Sequence, residues 1–592
     1  MQGTVQFSES GFSLNGVQAR WLGGPIRMEG GLRANSSNNE PALQLRAQGE
    51  ISAEGLRQAH EFHPLDVLAK QMSGATAYTA SLGWRQGQPE LFIQSQLEGL
   101  GMKLPAPLTK ASATAMPLSI RSRVQGTGAN LQDRLQIDLG RVAAVQYVRD
   151  LSGQTPRVLR GSMSLGSTAG TLPPMPDAGV AATVAMDQLS VDEWQALWPA
   201  APTTGATDSD NAAMQSYLPT RIGLQANSIT AEGRTLHQVV AGGTRDGLTW
   251  RANVDARELS GHLAFLQSSG GQPGQLYARL ARLNLPPSSA ADVESLLEAP
   301  PAHLPALDIV IEQLELRGMK LGRIEIEAVN SALQTSGGKP ASEWRLNKFN
   351  IILPEATLSS TGRWLSATAG GPLRKTEMNF RLSVRDAGDL LTRLGTPGAL
   401  RDGSGLLDGQ ISWSGSPLTL HYPSMSGQFD VKMGRGQFLK ADAGAAKLLG
   451  VLSLQALPRR FLLDFRDVFY EGFAFDSVAG HVSIDQGIAT TRNLQIKGIN
   501  AIVQLDGSAD IAKETQQLRV VILPEVDTGT ASLVAGLAVN PLVGLTTFLA
   551  QLFLQSPLSR ASTQEFLIDG SWTTPRVKRV ERDASQSAAP GK

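Results

Sequence analysis

Apolar and polar residues alternate with a period of two along most of the chain. The alternation is clear in PALQLRAQGEI, ELFIQSQLEGL, PALDIVIEQLEL, GRIEIEA, KFNIILPEATL and EMNFRLSVRD. Successive side chains of a β-strand point to opposite faces of the sheet, so each stretch would have one apolar face and one face of Gln, Arg, Glu, Asn or Ser. Strands of this kind are typical of antiparallel sheets with one dry and one solvated face. The pattern predicts a mainly β protein.

The apolar faces of the predicted strands supply candidates for a ligand-binding surface. These candidates are Ile309, Ile311, Ile324, Ile326, Phe349, Ile351, Leu353, Phe380, Leu382, Val384, Ile496, Val503, Leu505, Val520 and Ile522. The alternative is that the same side chains form the core of an ordinary β-sandwich, which the composition alone favours. The alternation is compatible with both structures.

Short helical patterns interrupt the strands at residues 52–74, 190–198 and 386–395. Each begins with a Ser or an Asp that can cap a helix N-terminus. A further segment, residues 441–457, has Leu at helical spacing and predicts an amphipathic helix. We expect these helices to cap or plug a β body.

Two sequence features occur between or at the ends of the predicted strands. Gly and Trp recur together near strand ends, at Gly83 and Trp84, Gly362 and Trp364, Gly409 and Trp413, and Gly570 and Trp572. Their spacing is irregular, which indicates a loose module rather than a strict repeat. Stretches rich in Pro, Ala and Ser predict linkers at residues 171–179, 198–213 and 285–305.

An uncharged stretch, residues 528–559, lies near the C-terminus. Asn540 and Pro541 divide it, because Asn is a good N-cap and Pro is favoured at the first helical position. At 1.5 Å per residue neither half exceeds about 23 Å, whereas a bilayer core is about 30 Å thick. The stretch predicts a hydrophobic helical hairpin that does not cross a membrane. It would either plug the end of the β body or dip into one leaflet.

Charge and composition exclude several functional classes. Lys plus Arg equals Asp plus Glu at 53 each, so no overall field attracts nucleic acid. The chain has no Cys, which rules out disulfides, Cys-based zinc sites and thiol nucleophiles. The N-terminus has neither the basic nor the apolar region of a signal peptide. We expect these 592 residues to be the C-terminal part of a longer product whose targeting segment lies upstream.

The sequence offers little catalytic chemistry. His60 and His63 share one face of a predicted helix, but the third ligand expected of a zinc site is missing. The glycine-rich stretches GRGQF and GSGLLDG fit turns between strands and lack the spacing of phosphate-binding loops. No GxSxG motif and no obvious pair of catalytic carboxylates occurs. We therefore predict a protein that is not an enzyme and uses no metal and no cofactor.

Several segments resemble the YhdP family of Gram-negative bacteria. The most specific is GRGQFLKADAGAAKLLGVLSLQALPRRFLLDFRDVFYEGFAFDSVAGHVSIDQGIATTRNLQIKG, which is similar to the AsmA-like C-terminal region of that family. SQLEGLGMKLPAPLTKASATAMPLSI, LPALDIVIEQLELRGMKLGRIEIEA and DAGDLLTRLGTPGALRDGSGLLDGQISWSGSP are similar to it as well. The resemblance covers essentially the whole chain, but the anchor and first half of the family's proteins have no counterpart here.

The resemblance implies an elongated, curled antiparallel β-sheet that forms an open hydrophobic groove, with a few short helices and a C-terminal hydrophobic hairpin. It implies a periplasmic protein that bridges the inner and outer membranes, with phospholipids as its ligands and intermembrane phospholipid transport as its function. Related TamB-like proteins suggest an alternative, an assembly factor that uses strand edges in outer-membrane protein biogenesis. A third class, a β-solenoid enzyme acting on polysaccharide, would need paired carboxylates.

The resemblance also favours a membrane role for the uncharged hairpin. It implies that the C-terminal end contacts the outer membrane and that the inner membrane is reached through an anchor that this chain lacks. Outer-membrane proteins are further possible partners, and nucleic acid is not. The candidate membrane-contact residues are Leu533, Leu537, Leu542, Leu545, Phe548, Leu549, Leu552 and Phe553.

The patterns and the resemblance together divide the chain into seven segments. These are β-groove segments at 1–130, 131–300 (with helical inserts and Pro-rich linkers) and 301–426, an AsmA-like β region with an amphipathic helix at 427–527, the hydrophobic hairpin at 528–560, a final strand at 561–578 and a disordered tail at 579–592.

Overall fold

A computed structural model gives the fold. It describes residues 2–8, 11–34, 41–59, 65–85, 88–153, 155–166, 171–197, 215–231, 233–269, 273–285, 305–316, 318–334, 340–365, 375–415, 420–439, 473–498, 501–524, 563–572 and 575–580. Strands make up 71% of this part of the chain, so the prediction of a mainly β protein is confirmed. The chain forms two compact units, Met1–Leu266 and Gln267–Lys592.

The first unit consists mainly of strands. They are β1 Gln2–Ser8, β2 Gly11–Trp21, β3 Gly24–Ala34, β4 Pro41–Ser52, β5 Met72–Arg85, β6 Gln88–Ser95, β7 Leu100–Met102, β8 Leu118–Gln125, β9 Gln132–Leu139, β10 Ala143–Asp150, β11 Arg157–Gly166, β12 Gly179–Ser190, β13 Arg221–Ala231, β14 Arg234–Asp246, β15 Thr249–Asp255 and β16 Leu259–Leu266. Each strand pairs with the next one along the chain, except that β6 pairs with β8 while the short β7 pairs with β5.

The second unit continues the same design. Its strands are β17 Gln275–Leu285, β18 Ala306–Leu316, β19 Met319–Gln334, β20 Pro340–Ile352, β21 Ala356–Leu365, β22 Lys375–Val384, β23 Leu400–Asp402, β24 Gly405–Ser414, β25 Ser426–Met433, β26 Gly436–Phe438, β27 Phe473–Asp485, β28 Ile488–Gly498, β29 Ala501–Asp510, β30 Thr515–Pro524, β31 Gln564–Ser571 and β32 Pro575–Arg579. The long strands pair in chain order, and the short β23 and β26 pair with each other beside β27.

Most neighbouring strands run antiparallel, as predicted, but three parallel pairs make the sheets mixed. β11 with β12, β12 with β13, and β17 with β18 run parallel. A parallel neighbour requires a connection that returns along the whole strand, whereas an antiparallel neighbour needs only a tight turn. The three linkers predicted from the sequence, 171–179, 198–213 and 285–305, fall at these three connections.

The helices of the described residues are short, as predicted. They are α1 Ala53–Gln58, α2 Leu65–Ala69, α3 Val191–Leu197 and α4 Ala387–Arg393, with 3-10 turns at Gly128–Asn130 and Tyr422–Ser424. Ser52 caps α1 by accepting a hydrogen bond from the Gly55 amide at 3.0 Å. Asp386 caps α4 by accepting one from the Asp389 amide at 2.9 Å. The helical pattern of residues 52–74 extends too far, because Met72 begins β5 and joins the sheet.

Several sequence predictions lie outside the described residues. They are the helix at 441–457, the histidines His60 and His63, the whole hairpin segment 528–560 and the tail beyond Val580. All the candidate membrane-contact residues belong to this group. The seven-segment division also stays a prediction.

Candidate functional site

The strand registers of the second unit gather its apolar side chains on one face of the sheet, which we call the apolar face. Ile311 lies opposite Ile324, and Ile324 lies opposite Ile351 on the next strand. One row across the strands consists of Leu280, Ile311, Ile324, Ile351, Leu358, Leu382, Leu407 and Val431. The next row consists of Ala278, Ile309, Ile326, Phe349, Ser360, Phe380, Gly409, Phe429 and Val482.

The structure therefore brings together the candidates that the sequence singled out between residues 309 and 384. The later candidates continue the face, since Ile496 lies opposite Val503 and Val503 lies opposite Ile522. Leu505 lies opposite Val520 in the adjacent row.

Exposure divides the apolar face into two sections. In strands β18 to β25, which we call the open section, Ile309, Ile326, Phe349, Ile351, Phe380 and Leu382 are partly exposed. In strands β27 to β31, the closed section, Ile496 and Val503 are 0% exposed and their neighbours are buried. The closed section forms part of a packed core, so the open section offers more surface to a ligand.

Strands β29 and β30 are buried on both faces. Ile502 and Val521 point away from the apolar face, because they alternate with Val503 and Val520, and they too are 5% and 0% exposed. Elsewhere in the second unit the opposite face is mostly polar and exposed. The consecutive apolar residues of these strands, such as Ile502 with Val503, therefore mark a two-sided core rather than one dry face.

Helix α4 closes one end of the open section. Leu390 packs with Leu353 and Val384 in the same core cluster that continues into the closed section. The Arg393 guanidinium donates to the buried Glu355 carboxylate, and this hydrogen bond lowers the pKa of Glu355 below its ordinary value. The Leu353 and Val384 candidates are buried at this contact. We call this end of the strands the helix end.

The opposite ends of the same strands carry tryptophans. Trp364 lies opposite Trp344 on one side and opposite Thr376 on the other, and Thr376 lies opposite Trp413. All three indoles are buried on the apolar face, and Trp344 and Trp364 share a cluster with Ala328. The recurrent Gly and Trp of the sequence thus line one side of the sheet in this unit. We call this side the tryptophan end.

Ion pairs cover the opposite face of the open section, which we call the polar face. Arg323 Nη1 lies 2.6 Å from Glu312 Oε1, and Lys348 Nζ lies 2.8 Å from Glu325 Oε2. Hydrogen bonds from Lys348 and then from Arg323 lower the pKa of Glu325 from 4.5 to about 2. A shift of any strand by one residue would move these charged side chains to the apolar face and bury them. The charges on the polar face therefore fix the register of the strands.

The first unit has an apolar face of its own that the list of candidates missed. One row across its strands consists of Val5, Leu14, Gly30, Leu45, Leu82, Leu91, Ser122, Leu135, Tyr147, Gly161 and Val180. The signal was present in the sequence, where Leu43 and Leu45 alternate with Gln and Arg, and Leu91 and Ile93 do so with Phe and Gln.

A charged group interrupts the apolar face of the first unit. Arg149 donates to both carboxylate oxygens of Asp133, and the Ser122 hydroxyl donates to Oδ2 at 2.8 Å. The Tyr147 hydroxyl donates to the carbonyl of Tyr217 at 3.2 Å, and burial raises the pKa of Tyr147 to about 12. These hydrogen bonds pair the buried polar groups of the cluster with one another. The cluster therefore links neighbouring strands through polar side chains.

Within the described ranges no group of three or more His, Cys, Asp or Glu side chains could hold a metal ion. No helix in the same ranges has both the length and the apolar character to cross a bilayer. The extended apolar faces are therefore the candidate functional surfaces.

Comparison with known proteins agrees with the sequence resemblance. A family profile described as "YhdP protein" matches residues 1–577. The chain is also 23% identical over 615 aligned positions to a protein of Escherichia coli (strain K12) named "Intermembrane phospholipid transporter YhdP". That alignment includes 100% of this chain and 45% of the relative, so the chain spans about half the length of the curated relative that it matches.

Proposed function

The chain belongs to the YhdP family, and on that premise we propose that it carries phospholipid between membranes along its apolar faces. The supporting observation is the register of the second unit, which aligns partly exposed apolar side chains across consecutive strands from β18 to β25. The name of the Escherichia coli relative gives phospholipid as the cargo of that protein.

The physical requirement for such a path is continuity. A phospholipid with about 30 chain methylenes would lose on the order of 24 kcal/mol on entering water, at roughly 0.8 kcal/mol per methylene. Transfer through an aqueous space therefore needs an apolar surface at every step. The rows from Leu280 to Val431 and from Ala278 to Val482 offer such a surface across the open section.

The proposal includes the cellular setting. The protein acts in the periplasm and delivers lipid to the outer membrane. The hydrophobic hairpin, with Leu545 and Phe553 in its second half, dips into the near leaflet of the outer membrane. Its shallow insertion would let acyl chains pass between the apolar face and the bilayer without contact with water.

Site-specific photo-crosslinking in cells tests the proposal. A photo-reactive amino acid at Ile351 or Phe380 should yield phospholipid adducts, because both side chains lie in the open section and are partly exposed. Asn379 is the matched control, since it is exposed on the polar face next to Phe380. Val503, which is 0% exposed, controls for background labelling of a buried site. Equal lipid labelling at Asn379 and Phe380 would refute a lipid path on the apolar face.

A further inference from the structure

Unpaired buried polar atoms in the second unit share one location. Among the described residues of this unit, four buried side-chain atoms have no hydrogen-bond partner: Ser360 Oγ, Trp364 Nε1, Gln516 Oε1 and Trp572 Nε1. Burial of a donor or acceptor without a partner costs the full desolvation of that group, so such atoms are rare in native proteins. Each of them can therefore accept a partner that the described polypeptide does not supply.

All four atoms belong to the apolar face. Ser360 lies opposite Phe349 and Phe380, and Trp364 follows it on the same face of β21. Gln516 alternates with Leu518 and Val520 in β30. Trp572 continues the alternation of Phe566, Ile568 and Gly570 just after β31, and its amide donates to the Glu514 carbonyl at 2.8 Å.

The four residues also avoid one end of the strands. Trp364, Gln516 and Trp572 lie at the tryptophan end, and Ser360 lies at the middle of β21. At the helix end the buried Glu355 carboxylate is already paired with Arg393. The apolar face of the open section there carries the aliphatic side chains of Leu353, Ala356, Val384, Ala387 and Leu390. The apolar face is thus graded along the strand direction, from hydrocarbon at the helix end to unpaired polar atoms at the tryptophan end.

This gradient matches an amphiphile that lies along the strands. We propose that a phospholipid binds with its acyl chains toward the helix end and its glycerol ester and phosphate oxygens toward the tryptophan end, where Ser360 and Trp364 donate hydrogen bonds to them. The proposal rests on the proposed function and adds the orientation of the lipid and two residues that recognise it.

The chemistry of the two donors fits these oxygens. An indole nitrogen can only donate, and ester and phosphate oxygens without protons can only accept. Tryptophan side chains also prefer the boundary between hydrocarbon and polar groups, because one part of the indole is apolar and the other is a donor. Gly362 lies between Ser360 and Trp364 on the same face, so no side chain separates the two donors. A bound lipid would supply the partners that these atoms lack.

Two photo-reactive phospholipids test the orientation. One carries the reactive group on the headgroup and the other at the end of an acyl chain, and the crosslinked peptides of the purified full chain are identified by mass spectrometry. The headgroup probe should label residues around Trp344, Trp364 and Trp413, and the chain probe residues around Leu353, Val384 and Leu390. Labelling of both ends by both probes, or the reverse pattern, would overturn the orientation while lipid binding stands. The absence of labelling by either probe anywhere on the apolar face would overturn the proposed function itself.

A pair of Trp variants tests the donors with a matched control. Trp364→Phe removes the unpaired indole NH, whereas Trp344→Phe removes an NH that already donates to the Pro305 carbonyl at 3.3 Å. We expect Trp364→Phe and Ser360→Ala each to weaken phospholipid binding by up to about tenfold, and Trp344→Phe to weaken it less, because the NH of Trp344 already has a partner. Binding of hexadecane, which has no acceptor oxygen, should be the same in all three variants. Equal losses for Trp364→Phe and Trp344→Phe, or equal losses for phospholipid and hexadecane, would show a packing effect and contradict the assignment of donors.

Discussion

The Arg149 guanidinium donates two hydrogen bonds to the Asp133 carboxylate on the apolar face of the first unit. Nη2 lies 2.6 Å from Oδ2, and Nε lies 2.9 Å from Oδ1. The carboxylate is 2% exposed, and a third donor, the Ser122 hydroxyl, completes its hydrogen bonds. A buried ion pair of this kind adds little to the free energy of unfolding compared with apolar residues at the same positions. A single buried charge without its partner, however, destabilises the fold strongly.

The ion pair gives the first prediction. Asp133→Ala should destabilise the first unit by about 3–5 kcal/mol, because it leaves the mostly buried Arg149 charge without its partner. The double variant Asp133→Leu with Arg149→Leu should be nearly as stable as the parent or more so, since no charge remains buried. Urea unfolding followed by fluorescence measures both. A double variant that is less stable than the single one would contradict this account.

The second prediction concerns pH and the polar face. The pKa of Glu325 is lowered from 4.5 to about 2, so its pairing with Lys348 and Arg323 stabilises the fold above pH 4.5. This contribution is lost as the pH falls toward 2 and the carboxylate becomes protonated. Glu325→Gln should therefore lower the unfolding midpoint at pH 7 and make no difference near pH 2. Glu315→Gln is the control, because Glu315 forms no ion pair among the described residues; an identical pH profile for both variants would refute the assignment.

The third prediction separates the open and closed sections of the apolar face. Ile351→Asp or Phe380→Asp should reduce the lipid that copurifies with the chain and leave the fold intact, because these side chains are partly exposed. Val503→Asp should unfold the second unit, since it buries a charge at a site that is 0% exposed. Lipid mass spectrometry and circular dichroism provide the two measurements. Asn379→Asp, on the polar face, should change neither.

The fourth prediction concerns the hydrophobic hairpin. Leu545→Asp together with Phe553→Asp should abolish binding to liposomes, because charged groups in the hydrocarbon region are expensive. The circular dichroism spectrum of the β body should not change. Flotation with phospholipid vesicles measures the binding, and Thr546→Ser is a matched conservative control in the same segment. Undiminished flotation of the double variant would exclude the hairpin as the membrane contact.

The features that the sequence predicted best are those that depend on residues close to one another in the chain. Alternation along each strand is enough to assign Ile309 and Ile311 to one face and Glu312 to the other, and the registers then bring them beside Ile324 and Ile326. The capping roles of Ser52 and Asp386 were equally predictable, because an N-cap acts on its own helix.

The sequence did not predict burial or strand direction, because both depend on segments that are distant in the chain. The candidates Ile351 and Val503 each have an adjacent Ile in the sequence, yet Ile351 is partly exposed and Val503 is fully buried. Burial depends on what covers a strand, and strand periodicity carries no record of that. Strand direction is hidden for a similar reason, because parallel and antiparallel strands share a period of two, and only the long linkers hinted at the parallel neighbours.

The parallel neighbours have a consequence for how such a protein can change in length. In a purely antiparallel meander, adding one strand would reverse the direction of every strand after it and move every later loop and helix to the opposite side. Strands could then be gained or lost only in pairs. A returning connection such as the one between β17 and β18 restores the original direction, so the chain can also grow by single strands while α4 and the tryptophans keep to their own sides.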